Sequence, residues 1–486
     1  MLILLGLLTS RITLQALGVE NYGIFSVVGG IVTILGFLNN SMAGATQRYI
    51  NVALGEKNQQ KLNHIVSNAL ILHFGIAIVC LFLAETLGLW FLNECMEIPE
   101  GRMGAANWVY QFSIITFMMN ILTVPYMASI IAHERMSAFA WITVFDVVMK
   151  LLIVIMLLYV DVDKLILLAI LSCVAANVTR LIYIRYCKKQ FDECTVKSWK
   201  IDKPLMKSMF SFSSWTVFGN LGFIAHTQGI AIIINLFFGV TVNAAQGIAN
   251  QVNNYVSQFV SNFLLAFNPQ VVKTYASGEI AEMHKLVLRG SRVALLLMGL
   301  IVMPLVIEMP NILYLWLGQV PDYSVIFVRL ILLITFFNSY SNLLATAQGA
   351  TGNIKIYQIT LTSIGLLHLP LTWLFFELGF EAYWAQIIYL VIVIVLQIVK
   401  TCFVCKAIDM GQRFFYSDSV MRSMTSIAVA AIIPIAIHLH YPDSFLRTVV
   451  VCLVSVTISC ITAFYIGLKP EERNLIIATV RKKLNR

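Results

Sequence analysis

Apolar stretches of about twenty residues, the length a helix needs to cross the hydrocarbon of a bilayer, recur from one end of this 486-residue chain to the other. Inside lipid no water satisfies backbone N–H and C=O groups, so only helices and closed barrels span it. The runs are long and continuous rather than alternating, which selects helices. Composition agrees: 59% of the residues are hydrophobic and only 12% are charged, where an ordinary soluble domain carries about 25% charged residues. The sequence therefore predicts an all-α integral membrane protein and excludes a soluble globular enzyme.

Hydrophobic periodicity and turn residues divide the chain into about fourteen transmembrane helices, at roughly 1–17, 22–54, 62–92, 105–132, 137–160, 164–186, 205–238, 241–273, 285–317, 323–348, 354–376, 381–406, 419–438 and 444–467. Grouped, these give an N-terminal six-helix lobe (1–188), a polar linker (189–204) and a C-terminal six-helix lobe (205–408). Two extra transmembrane helices (409–468) and a basic amphipathic tail (469–486) follow. The tail suits a membrane surface. Met1 opens directly into MLILLGLLTS, without the charged n-region and cleavage site of a signal peptide.

The formal net charge is +9. Its basic residues sit mainly in short loops on one side, among them Lys57, Lys61, Arg135, Lys188, Lys189, Lys285, Lys355, Lys406 and Arg413, with Arg481, Lys482, Lys483 and Arg486 in the tail. The opposite loops hold little beyond Arg102 and Lys164. This is the positive-inside pattern, and it predicts that both termini are cytoplasmic. The positive charge thus reads as topology, and no nucleic-acid module is visible.

An internal repeat is also visible. Gly18-Val19 and Gly55-Glu56 in the first half match Gly239-Val240 and Gly278-Glu279 in the second. Six helices separate the copies, so they share one orientation, and parallel repeats of this kind hold the substrate path between their halves.

Polar residues inside membrane helices are costly and mark a cavity or a helix contact. The second helix carries Ser26, Gly30, Thr33, Gly36, Asn40, Gly44 and Gln47 on one stripe. The eighth carries Asn243, Gln246, Asn250, Asn253, Asn254, Ser257 and Ser261, widened by Gln251, Gln258 and Asn262. For the second helix, close packing of small residues is an equal reading. The amide density of the eighth favours a wet cavity. Arg11 and Arg48 lie about 10 Å inside their helix ends at 1.5 Å per residue, within reach of the interface by snorkelling, and together suggest a positive pathway. Asp146 and Lys150 form an i,i+4 pair that either neutralises itself or couples an ion. His226 is a further candidate for ion coupling, against a packing role. Arg292, Glu308 and Arg329 lie nearer helix ends and rank below these. Pro125, Pro269, Pro304, Pro370 and Pro434 fall inside predicted helices, where proline kinks the chain.

Nine cysteines form no disulfide-like framework. Cys402-x-x-Cys405 with Cys187 and Cys194 lacks the spacing and the histidine of a zinc site. No Walker A, H-E-x-x-H or G-x-S-x-G motif is present, so no catalytic residues, metal ligands or cofactors are expected and any energy source is an ion or substrate gradient.

The run Ser10–Gly55, SRITLQALGVENYGIFSVVGGIVTILGFLNNSMAGATQRYINVALG, resembles the opening of bacterial polysaccharide flippases of the Wzx type. Their superfamily also holds multidrug exporters of the MATE type and the lipid II flippase. The helix pattern extends the likeness along the chain. The resemblance implies a MATE-like fold in the bacterial inner membrane and alternating access by two lobes. It also implies a cargo of undecaprenyl-pyrophosphate-linked oligosaccharide flipped to the periplasmic leaflet, with H+ or Na+ as candidate coupling ions. A polysaccharide polymerase and a chain-length regulator are candidate partners. Arg11 and Arg48 match basic family positions that face the pyrophosphate, while Gln246, Asn250 and Asn254 suit sugar hydroxyls. Asn39 and Asn40 stand where relatives often carry an acidic or polar group, a departure that leaves ion coupling there open. Relatives usually carry a longer stretch before the first helix, which leaves open whether Met1 is the true start. The competing readings are a cation-coupled multidrug exporter on the same fold and a membrane enzyme. The second needs a large periplasmic catalytic loop, and the longest external loop, about Asn93–Ala105, is short.

Overall fold

The computed structural model describes residues 42–474 apart from 97, 100, 161 and 196–200, together with 9, 12–13, 15–18, 21–25, 28 and 477; residues 36–41, 95 and 240 are described by backbone alone. Arg11, the side chain of Asn40, most of the second-helix stripe and the basic end of the tail lie outside the described residues. Every described element is helical. Ten helices are long and apolar enough to cross a membrane among the described residues, or eleven if the bent pair Ser324–Ser339 and Asn342–Thr351 is one span. The chain is a multi-pass membrane protein.

Contacts divide it into two compact units, Met1–Asn220 and Leu221–Arg486, with the boundary inside the helix Lys203–Gly239. The first unit holds α1 (Gly36–Gly55), α2 (Gln59–Leu83), α3 (Met103–Ala132), α4 (Met136–Leu157) and α5 (Lys164–Gln190). Two of its helix starts, those of α2 and α5, are fixed by side-chain caps that satisfy free N–H groups. Asn58 accepts from the Lys61 N–H at the head of α2, and Asp163 accepts from Leu165 and Ile166 at the head of α5. Tyr110, Ile114, Val109 and Leu165 form its largest core.

The second unit receives the rest of α6 (Lys203–Leu264), then α7 (Phe267–Ala276), α8 (Ile280–Leu317), α9 (Ser324–Ser339), α10 (Asn342–Thr351), α11 (Lys355–Leu366), α12 (His368–Glu377) and α13 (Trp384–Ala407). A span Gln412–His440, with a π-helical turn at Tyr416–Met421, and a final span Phe445–Gly467 close it. Its core centres on Phe327, Leu332, Met283 and Val287.

Two helices expected to run through are broken. The 241–273 helix stops at Leu264 and restarts at Phe267, and the 354–376 helix restarts at His368. Pro269 and Pro370 therefore stand in the first turns of α7 and α12, where a missing N–H costs nothing, and not in helix interiors. The 323–348 helix is likewise bent by 42° between Ser339 and Asn342. Pro125, Pro304 and Pro434 are helix-internal, as expected.

Of the two matched glycine pairs, one agrees in backbone, whereas Gly278 has a positive φ and Gly55 ends a helix. Gly18 and Gly239 both have positive φ, 75° and 78°, a conformation only glycine adopts freely. At Gly239 it breaks α6 into the apolar span before it and the amide-rich segment after it.

Two ionic clusters fasten the last helices to α8. Glu308 is fully buried at a break in α8 and accepts from His438 (2.7 Å), Thr448 (2.9 Å), Asn311 (3.0 Å) and Arg447 (3.2 Å). Toward the other end of α8, buried Arg292 meets Glu472 at 3.1 Å and Asp418 at 3.6 Å, and Lys469 meets Asp418 at 2.7 Å. Sixteen residues separate Glu308 from Arg292, about 24 Å at helical rise, so the clusters grip opposite ends of one span.

Candidate functional site

In the second unit a cavity of about 530 Å³ opens along the segment of α6 that follows Gly239. Gln246, Asn250, Asn253, Asn254, Ser257 and Ser261 line it. Their three- and four-residue spacings put them on one helix face. Asn243 is half-buried outside it, and Gln251, Gln258 and Asn262 are exposed elsewhere.

The opposite walls come from residues the sequence reading missed. The α9–α10 bend supplies Thr335, Asn338, Ser339 and Asn342; α12 supplies His368; α13 supplies Gln386 and Tyr389. The signal available for them was faint. Gln386 and Gln397 interrupt the most hydropathic span among the described residues, and an Asn-Ser-Tyr-Ser-Asn run marks the bend.

The polar groups of the walls are bonded to one another. Gln386 Nε2 donates to Gln246 Oε1 (2.6 Å), and Gln246 Nε2 donates to Asn250 Oδ1 (3.2 Å). Asn253 Oδ1 accepts from Thr335 and from Ser257 (3.3 Å). Gln397 Nε2 donates to Asn338 Oδ1 (2.6 Å). A buried amide without a partner costs about 1–3 kcal/mol, so these bonds hold the amides in place and leave their spare donors and acceptors to the cavity. No Asp, Glu, Lys or Arg is among the lining residues. Lys400, one turn beyond Gln397 on α13, donates to Ser341 at 3.0 Å and has no carboxylate partner among the described residues.

His226 lines the cavity but not alone. His226 Nε2 lies 2.6 Å from His368 Nδ1, and His368 Nε2 lies 2.8 Å from the Ala385 carbonyl. The Tyr389 ring packs against both imidazoles, with centroids 4.4 and 4.9 Å away.

The other expected residues belong to the first unit. Arg48 sits over the rings of Tyr49 (4.9 Å) and Phe212 (5.0 Å), and the Tyr49 hydroxyl is 2.6 Å from Ser208 Oγ. Gln47 beside it is half-buried. Asp146 pairs with Lys150 at 2.7 Å and also accepts from Thr179 at 3.2 Å. Arg180, which the sequence reading passed over, is half-buried on α5 with its Nε unbonded. The second-tier residues have structural work: Glu308 and Arg292 in the two clusters, and Arg329 as a donor to the carbonyls of Val306 (2.9 Å) and Ile307 (3.2 Å).

Outside the spans, Glu193 follows α5 and meets His133 at 2.6 Å and Gln59 at 3.4 Å. Burial pushes its carboxyl pKa up, but hydrogen bonds from His133, backbone and Gln59 outweigh that and hold it below the ordinary carboxylate value.

Comparison with known proteins places these features among relatives. The sequence profile described as polysaccharide biosynthesis protein matches residues 1–274. The uncharacterized membrane protein EpsK of Bacillus subtilis (strain 168) is 18% identical over 312 residues, covering 64% of this chain and 61% of EpsK. The match thus spans less than two thirds of that relative. Among solved structures, an outward-facing multidrug resistance MATE family transporter of the MOP superfamily has a TM-score of 0.72 at 12% identity, covering 84% of this chain and 92% of that one. A MOP superfamily transporter from Pyrococcus furiosus, described as having a binding pocket of reverse polarity, has a TM-score of 0.68 at 14% identity, covering 84% and 92%. At such identities the likeness is one of fold.

Proposed function

Because the chain belongs to the polysaccharide biosynthesis protein family, we propose that this transporter-like membrane protein is a flippase for undecaprenyl-pyrophosphate-linked oligosaccharide. It carries the saccharide from the cytoplasmic to the periplasmic leaflet of the bacterial inner membrane by alternately opening to each side. It performs no bond chemistry.

The observation that carries this reading is the cavity of the second unit: uncharged, lined by amides and hydroxyls together with apolar side chains and the aromatic rings of Phe223 and Tyr389. Sugars present dense hydroxyls, each both donor and acceptor, and amides answer both roles. Tyr389 offers an apolar face to a sugar ring. Gln246, Asn250 and Asn254 would bind the saccharide. The pyrophosphate needs positive charge and fixed donors, which Arg11 and Arg48 would supply, assisted by Asn40 and Gln47 in the same helix as Arg48. The prenyl chain stays in lipid, and H+ or Na+ drives the cycle, with Asp146 and Lys150 as candidate coupling groups. The basic loops put both termini in the cytoplasm. A polymerase and a chain-length regulator would act on the flipped product.

Multidrug exporters share the fold, but a pocket for cationic drugs calls for acidic lining, and no lining residue here is acidic. Deleting the gene in its own host tests the reading. The expected result is loss of surface polysaccharide, build-up of lipid-linked repeat units on the cytoplasmic leaflet and unchanged cationic-dye exclusion. Normal polysaccharide with impaired dye exclusion would replace it with the exporter.

A further inference from the structure

The histidine pair on the cavity wall has its proton positions set by the backbone. His368 Nε2 lies 2.8 Å from the Ala385 carbonyl. A carbonyl only accepts, so this nitrogen carries the hydrogen. A neutral imidazole has one N–H, which leaves His368 Nδ1 as a bare acceptor. The 2.6 Å contact then requires His226 Nε2 to donate. His226 in turn keeps its Nδ1 without a hydrogen, and that atom has no hydrogen-bond partner among the described residues.

Both rings stay neutral in this arrangement, for electrostatic reasons that can be followed element by element. The titratable groups facing His226 are His368 on α12 and Tyr389 on α13. No lining residue from α6, α8, α9 or α10 is charged. Lys400 is eleven residues beyond Tyr389 on α13, about 16 Å away along the axis. An imidazolium here would have no counter-ion, and an unpaired buried charge is disfavoured.

The geometry points to a directed relay, Ala385 carbonyl to His368 to His226, that presents His226 Nδ1 to the cavity as a fixed acceptor for a hydroxyl of a bound saccharide. His226 is the contact residue and His368 a positioning residue that sets its tautomer. On the same lining Asn250 Oδ1 accepts from Gln246, which leaves the Asn250 Nδ2 donor available. A hydroxyl-bearing ring that can donate at one point and accept at another fits this pair, and a ligand with acceptors alone does not. Packing of Tyr389 on both imidazoles holds the ring planes, so the acceptor direction is organised before ligand arrives. The assignment differs from the ion-coupling role expected of His226 from sequence, and it rests on the saccharide reading of the cavity.

Nitrogen-15 NMR of full-length protein, labelled at histidine rings and at Asn and Gln side chains in lipid nanodiscs, tests it. The probe is oligosaccharide released from the host's own surface polysaccharide. Without probe, His226 should show a protonated Nε2, a bare Nδ1 and a through-hydrogen-bond coupling to His368. On adding probe, the His226 Nδ1 signal should shift as it accepts a bond, together with the Asn250 amide. His226→Gln, whose amide still reaches His368 but offers no acceptor at the Nδ1 place, should weaken binding about tenfold, the worth of one well-made hydrogen bond. His368→Ala should release the His226 tautomer, visible as a mixture of Nδ1–H and Nε2–H forms. The opposite tautomer in the unliganded wild type would overturn the relay. Amide shifts without any His226 response would overturn the proposal and leave the saccharide cavity standing. No response from either group would overturn both.

Discussion

Arg329 donates to the carbonyls of Val306 and Ile307, and the reason lies in its neighbours. Pro310 has no N–H for Val306, and α8 leaves helical geometry at Glu308. A guanidinium with several donors repairs that gap inside a span where water is absent. From sequence such an arginine is indistinguishable from one that meets cargo, because both are polar groups in an apolar run. Asp146 and Lys150 were legible as a pair since both sit on one helix four residues apart. His226 was legible as polar but its meaning was not, because His368 is distant in sequence and the partner appears only when α12 restarts beside α6. Two predictions belong to this scale. Glu193 has a depressed carboxyl pKa, so its stabilisation is fully present above the unfolded value and is lost as pH falls through the folded one. Thermal unfolding of wild type in micelles should therefore drop in midpoint as pH falls from about 5 toward 3, and Glu193→Gln should flatten that slope while lowering stability at pH 7 by about 1–3 kcal/mol. Arg48→Ala should cut surface polysaccharide about tenfold, since a phosphate loses a charge-assisted partner. Immunoblots of membranes should show unchanged protein, so that the loss is one of transport and not of expression. Full export by that variant would remove Arg48 from the cargo route.

At the scale of elements, the eighth-helix stripe was the most readable feature, because three- and four-residue spacing carries the helix face with it. The breaks at Leu264 and Leu366 were not readable, since apolar residues continue across them and only Pro269 and Pro370 hint at new first turns. Close packing was equally silent. A Cβ at Gly222 would stand 2.3 Å from Thr362 Cγ2, and one at Gly229 would stand 2.7 Å from Leu369 Cδ2. These glycines let α6 lie against α11 and α12, which brings His226 to His368. Gly222→Ala should therefore destabilise by about 1–3 kcal/mol, read as a lower melting midpoint. Adding Thr362→Ser removes the offending methyl and should restore much of the loss. The Glu308 cluster predicts a comparable effect: Glu308→Ala takes the shared acceptor from Thr448, Asn311 and His438 and leaves Arg447 with Asp443 and the Tyr441 carbonyl, which should cost about 1.5–3 kcal/mol, with protease cutting between the last two spans as the local readout.

For the whole molecule, hydropathy and loop charge were enough to read a many-helix membrane fold, and of the expected repeat the pair Gly18 and Gly239 shares a positive φ that is hard to replace, while Gly55 and Gly278 differ. The walls of the cavity were only half legible, since one helix announces itself by its amides while α9, α10, α12 and α13 each contribute one or two polar residues to the same space. Family membership and the uncharged cavity are the two grounds on which we propose a carrier for saccharide on lipid. The most direct test is translocation in proteoliposomes of a fluorescent undecaprenyl-pyrophosphate-linked oligosaccharide, scored by access of an impermeant quencher. The account predicts transfer between leaflets well above protein-free vesicles, slowed about tenfold or more by Asn250→Ala with Asn254→Ala, at about 1 kcal/mol for each lost hydrogen bond. Transfer no faster than in empty vesicles, or transfer indifferent to those two substitutions, would contradict it.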